Sequence, residues 1–176
     1  VQDIEAIAKV AHDAGVPLIV DNTLATPMLC RPIEHGADIV VHSTTKFLNG
    51  HGNSIGGLIV DSGRFDWGAS DKFPALTQPN PSYHGMVLQE ALAPVGPIAF
   101  IIGCRVLGLR DLGPAMAPMN AFLTLTGMET LSLRMERHCN NAMALAQWLQ
   151  THPKVDWVSY AGLPGDQYNA LAQRYL

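Results

Sequence analysis

Two short, mostly apolar runs, each stopped by polar residues, constrain this chain more than anything else in it. Pro17–Val20 (PLIV) ends on Asp21-Asn22-Thr23, and Ala37–Val41 ends on His42-Ser43-Thr44-Thr45-Lys46. Strands without hydrophobic alternation belong in a sheet covered on both faces, which means a largely parallel sheet. The segment between them is long enough for the crossover that parallel pairing requires, and can hold a short helix near Arg31–His35. Ahead of the first run, residues 3–14 place Ile4, Ile7, Ala8 and Ala11 on one helical stripe. Asp3 suits the positive end of that helix, and Gly15 suits the left-handed position after its last turn. The order helix, strand, crossover, strand predicts an α/β fold, with a third strand at Ile55–Val60 after a Gly-rich turn.

Residues 61–97 carry little periodicity and much Gly, Pro, Asp and Ser, so they read as ordered but irregular, with one helical piece. From Pro118 to Gln150 the pattern is helical again, with Pro118 near the start and Ala142, Leu145 and Leu149 on one stripe. The charges from Glu129 to His138 read as a solvated helix face with ion pairs, and Met116, Met119, Met128, Met135 and Met143 as core. Val155–Tyr160 (VDWVSY) reads as a strand that opens a second unit. The terminal ALAQRYL is helical and uncapped, while Val1 opens directly in a helical pattern, so both ends read as cut from something longer. A division into residues 1–133 and 134–176, carried on the long helix, is the expected domain arrangement.

Composition narrows the function classes. Hydrophobic residues make up 48% and charged ones only 15%, against about 25% charged in an ordinary soluble domain. Much of the surface is therefore expected to be covered by protein. A net charge of −4 gives no footprint for nucleic acid, and no run reaches the roughly 20 apolar residues of a membrane span. Cys30, Cys104 and Cys139 are odd in number and scattered. They read as reduced thiols of a cytoplasmic protein, not as a disulfide framework or a zinc site.

Ligands of an open α/β sheet bind outside the carboxyl ends of its strands. Asp21 and Lys46 fall just past two consecutive strand ends, so an acid and an amine face one crevice. In an extended HSTTK, Ser43 and Thr45 point one way while Thr44 and Lys46 point the other. Two hydroxyls beside a presented amine and a carboxylate suit pyridoxal 5'-phosphate, which needs a lysine for its aldehyde, an acid at its pyridinium nitrogen and anchors for its phosphate. Taken singly, each residue has an ordinary explanation: a turn or cap for Asp21, a loop for the hydroxyls, solvent for the lysine. The ordered set at consecutive strand ends is what points to the cofactor. The neighbouring NGHGNSIGG, residues 49–57, is neither G-x-G-x-x-G nor a Walker loop. It reads as a tight turn or a plain connection, with His51 solvated or structural. Tyr83-His84 acquires no role, and no histidine pair shows ligand spacing.

The stretch VDNTLATPMLCRPIEHGADIVVHSTTKFLNGHGNSIGG resembles the lysine region of the Cys/Met-metabolism pyridoxal-phosphate enzymes, and NAFLTLTGMETLSLRMERHCNNA resembles their path into the C-terminal domain. DSGRFDW, PSYHG and LRDLG are most similar to the branch that acts on O-acetylhomoserine. The resemblance covers the whole chain and implies a fold-type I (aspartate-aminotransferase-like) transferase. Its large domain has three αβα layers around a mostly parallel sheet, followed here by the start of a smaller α/β domain. It implies that Lys46 is the Schiff-base lysine, Asp21 the carboxylate at the pyridinium nitrogen, and Ser43 and Thr45 the phosphate anchors. It further implies γ-replacement on O-acetylhomoserine: Lys46, released by the substrate amine, moves the α- and β-protons, acetate leaves from the γ-carbon, and sulfide or a thiol adds. Cystathionine synthesis or lysis and methionine γ-elimination are the alternatives on the same fold, and a cofactor-binding piece without activity is the alternative outside enzymes. The expected assembly is a homotetramer built from dimers. In the family, the substrate-carboxylate arginine, a stacking tyrosine and an N-terminal glycine-containing loop complete the site. No segment of this chain matches them.

Overall fold

The computed structural model describes residues 1–176. Its centre is a three-stranded sheet in the order β1 (Ile19–Asp21), β2 (Ile39–Ser43), β3 (Gly57–Asp61). β1 and β2 run parallel, with Val20 opposite Val40 and Asp21 opposite Val41. β3 returns antiparallel to β2, Ser43 facing Gly57 and His42 facing Leu58. The sheet is therefore mixed. Asp21 is the last residue of β1, not the first beyond it, and β2 runs two residues past Val41 to end at Ser43.

Helix α1 (Ile4–Asp13) precedes β1 and is capped by Asp3, whose carboxylate accepts from the Ala6 amide at 3.1 Å. Buried Asp38 ties it to the sheet by accepting from the Leu18 amide at 2.8 Å, with His12 Nε2 2.8 Å from the same oxygen. The β1–β2 crossover contains α2 (Thr26–Leu29) and a 3₁₀ turn at Pro32–His35. On one face of β2, Ile39 joins Trp67, Leu76 and Leu88 in the main core, with Val41, Phe65, Phe73 and Phe100 packed around it. Helices α3 (Pro74–Thr77), α4 (Leu88–Leu92) and α5 (Ala99–Gly103) supply that layer, and a π-helical stretch at Cys104–Arg110 continues α5. Aromatic contacts give the irregular stretch its order: Trp67 stacks on Phe100 at 5.0 Å and meets Phe73 edge-on at 5.0 Å.

The long helical pattern divides into α6 (Pro118–Met128) and α7 (Leu131–Gln150). The elbow between them presses on the turn after β2. Gly127 is buried, and a methyl group there would overlap the Asn49 carbonyl oxygen. A Gly127→Ala chain is expected to lose about 1–3 kcal/mol through overpacking. Thermal denaturation should read this as a melting point lower by about 2–4 °C per kcal/mol. An unchanged melting point would mean the elbow does not bear on the turn. Below the elbow, Leu131 and Met135 pack on Leu48 in a second core that includes Phe47, Leu29 and Leu58.

Several sequence expectations are corrected. Residues 61–97 hold two short helices, α3 and α4, where one was expected, and Met119 and Met128 are exposed instead of core. Val155–Tyr160 forms no strand. Nothing extended lies alongside to receive its ladder hydrogen bonds, and Trp157 is 77% exposed. The charged run of α7 is not a face of ion pairs either, since Arg134 donates to backbone carbonyls at Phe47 and Gly127. Helix α8 (Asn169–Tyr175) ends the chain against α1, where the Tyr175 hydroxyl donates to Asp3 at 2.6 Å and Arg174 pairs with Glu5.

The chain exposes 11097 Å², whereas a compact monomer of its 19.0 kDa exposes about 8,400 Å². Much of the excess is apolar, including Ile55, Leu112 and, along α6, Met119, Phe122 and Leu125. No helix is long and apolar enough to cross a membrane.

Candidate active site

Because β1 and β2 are parallel and in register, their carboxyl ends deliver side chains to one place. Asp21, Ser43 and Lys46 line a single cavity of about 750 Å³, together with Asn22, Thr23, Cys30 and both chain ends. A larger cavity of about 940 Å³ lies between β3 and the π-helical stretch. Ser43 borders it as well, but Asp21 and Lys46 do not.

Asp21 is exposed to the cavity and held by its own loop. The buried Thr23 hydroxyl donates to Asp21 Oδ1 at 2.5 Å, and the Thr23 amide donates to the same oxygen at 2.9 Å. These bonds, hydroxyl first, hold the Asp21 carboxyl below the usual aspartate range against its partial burial, with a smaller contribution from His42. The group is therefore anionic at neutral pH. Thr23 Oγ1 in turn accepts from the Ser43 amide at 2.8 Å, so one hydroxyl joins the ends of both strands. His42, buried on β2, has its imidazole pushed down by burial, partly opposed by Asp21. It is neutral at pH 7, and its Nδ1 finds no partner.

The same loop contains Thr26, fully buried at φ +58° with its hydroxyl accepting from the Met28 amide at 3.2 Å. A β-branched residue in the left-handed region costs about 1–3 kcal/mol, a strain that clusters at functional loops. Past Ser43 the strand ends and Thr44–Asn49 form a turn, so the alternation expected of an extended HSTTK stops. Lys46 is exposed at the cavity, whereas Thr45 does not line it. Thr45 Oγ1 accepts from the Gly56 amide at 3.2 Å and lies 3.4 Å from the Gly56 carbonyl. His51 sits with Nδ1 2.7 Å from the Asn49 carbonyl, as a structural histidine of the turn.

Thr23 is the residue that pattern reading left out. Its signal was a Thr two places after the Asp, the spacing at which an Asx-type turn closes on a backbone amide. Thr23→Val removes the hydroxyl bond to Asp21 and the acceptor for Ser43. A depressed carboxyl contributes stability that is present above its unfolded pKa, about 3.9, and is lost as pH falls through the folded value. With that pKa moved back toward normal, stability measured between pH 5 and about pH 2 should fall less steeply in the variant. An unaltered slope would show that Thr23 does not hold the charge.

An amine, a carboxylate kept ionised and a hydroxyl on one wall are the donor set that pyridoxal phosphate takes. The residues present fit that group.

A sequence model described as Cys/Met metabolism PLP-dependent enzyme matches residues 1–176. The chain is 55% identical to the O-acetyl-L-homoserine sulfhydrylase of Leptospira meyeri over 98% of its length, and 56% identical to the homocysteine synthase of Schizosaccharomyces pombe over all of it. It spans about two-fifths of either protein, 40% and 41%. Among solved structures it superposes with a TM-score of 0.89 and 37% identity on a chain described as an O-acetylhomoserine (thiol)-lyase of Campylobacter jejuni. The match covers all of this chain and 42% of that one, which carries pyridoxyl-lysine phosphate.

Proposed function

Because the chain belongs to the Cys/Met metabolism PLP-dependent enzymes, we propose that the whole protein replaces the acetyl ester of O-acetylhomoserine with sulfide or a thiol. Homocysteine or methionine and acetate would be the products. The observation that carries this reading is the convergence of Asp21, Ser43 and Lys46 on one cavity, in a chain more than half identical to a sulfhydrylase of that ester.

Pyridoxal phosphate, when bound, supplies an aldehyde for an amine and a ring that accepts the electron pair of a carbanion. The chain's own residues do the rest. Lys46 Nζ would be the amine that holds the cofactor and, when free of it, the base placed to take the proton from the α-carbon and to move one at the β-carbon. Acetate departs from the γ-carbon with its bonding pair, and hydrosulfide supplies the pair for the new C–S bond. Asp21, kept anionic by Thr23, would hold the proton of the ring nitrogen, and Ser43 would donate to the phosphate. Thr45 is the second anchor: Gly56 occupies one of its acceptor sites and holds its proton only at long range, which leaves the hydroxyl able to turn to an anion.

The partners that suit this reading are further copies of the same protein, a homotetramer built from dimers, covering the apolar surface of α6 and the loops. The division near residue 133, with α7 carrying the chain into a second domain, belongs to the same proposal, as does a cytoplasmic setting. Assays with O-acetylhomoserine plus sulfide, against cystathionine or methionine alone, test the chemistry. A sulfide-dependent free-thiol product is expected, and faster turnover of cystathionine or methionine would overturn the assignment.

A further inference from the structure

We propose that Arg134, in the first turn of α7, is a positioning residue that fixes where Lys46 stands. The proposal rests on the reading of Lys46 given above. Lys46 sits in a turn after β2 whose backbone is closed by the Asn49 amide donating to Thr44 at 3.1 Å and the Gly50 amide donating to Lys46 at 2.8 Å. The carbonyl of Phe47, the residue after the lysine, is taken by Arg134 Nη1 at 2.8 Å. Nη2 of the same guanidinium donates to the Gly127 carbonyl at 2.8 Å, and Nε donates to Thr130 Oγ1 at 3.1 Å. One planar group thus bridges the lysine turn and the α6–α7 elbow, sites far apart in sequence.

The surroundings leave that bridge no slack. Gly50, at φ +77°, has no side chain, and a methyl group there would occupy the guanidinium's place. Gly127 rests against the Asn49 carbonyl, while Leu48 is buried between Leu131 and Met135. The Phe47 ring lies 5.1 Å from that of His138. The turn is therefore gripped on both sides of Leu48, by packing from one and by charge-assisted hydrogen bonds from the other. A lysine at 134 supplies a point charge with no rigid fork and cannot reproduce two divergent carbonyl bonds.

The test is amide exchange in the full chain, read without cofactor, alongside steady-state kinetics of the loaded protein. In Arg134→Ala the Asn49 and Gly50 amides should exchange about ten- to a hundredfold faster, the loss expected of charge-assisted bonds, while amides of β2 keep their protection. In the loaded protein kcat should fall by about a hundredfold, as for a misplacement near 1 Å, with KM for O-acetylhomoserine little changed. Arg134→Lys should fall between the variant and wild type on both readouts. If Arg134→Ala does not fold, Arg134→Lys and Thr130→Val decide the matter, since each removes only part of the fork. Wild-type exchange at Asn49 and Gly50 with wild-type kcat overturns the proposal. A wild-type protein that binds no pyridoxal phosphate overturns the functional reading instead, and the exchange measurement still decides the role of Arg134.

Discussion

Lys46→Ala is expected to end sulfide-dependent turnover and to leave a protein in which borohydride fixes no pyridoxyl group. Of all side chains at the cavity, only Lys46 presents an amine. A positioned acid–base group is worth about 10²–10⁴-fold in rate. The variant also loses the covalent hold on the cofactor, so the fall in turnover should reach the upper end of that range. Peptide mass analysis after borohydride should find the adduct on Lys46 in wild type and nowhere in the variant. Because the Lys46 side chain is exposed within its turn, the melting point of the cofactor-free protein should hardly move, which separates lost chemistry from lost fold. Full-rate turnover by the variant would remove Lys46 from the reaction.

Asp21→Asn is the second large effect. The amide keeps the shape of the carboxylate and can still accept from Thr23, but it carries no charge to hold a proton on the ring nitrogen. Losing a hydrogen bond to a charged group costs about 1.5–3 kcal/mol, or one to two orders of magnitude at about 1.4 kcal/mol per tenfold. Equilibrium dialysis should therefore show cofactor affinity weakened to that extent, with turnover lowered further at saturating cofactor. Lys46→Ala and Asp21→Asn should not add, since both act on the same bound group. Wild-type affinity in Asp21→Asn would place the ring nitrogen elsewhere.

What pattern reading could reach depended on how local the cause was. The parallel pair and its two chemical ends were legible because apolar runs with abrupt polar stops need no partner to be recognised, and Asp21 and Lys46 lie at those stops. Thr45 was harder to place, because the reading carried strand alternation two residues beyond Ser43, where the backbone had already turned. The direction of β3 depends on whether its connection hairpins back or crosses over, and the Gly-rich sequence between is silent on this. VDWVSY has the composition of a strand, but a strand exists only beside another, and none lies next to it. Arg134 was out of reach for the same reason at longer range. Pattern reading placed it on a solvated helix face with ion pairs, while its actual partner, the Phe47 carbonyl, lies 87 residues back in the chain.

α7 also has a length, 20 residues. From Arg134 to Gln150 its axis runs about 24 Å at 1.5 Å per residue, with the near end bolted to the lysine turn. That makes the helix a long rod anchored beside Lys46. A tilt of roughly five degrees about Arg134 would carry the far end through about 2 Å over that span. Whatever the chain builds beyond Gln150 is thus joined, through one continuous helix, to the turn that carries Lys46.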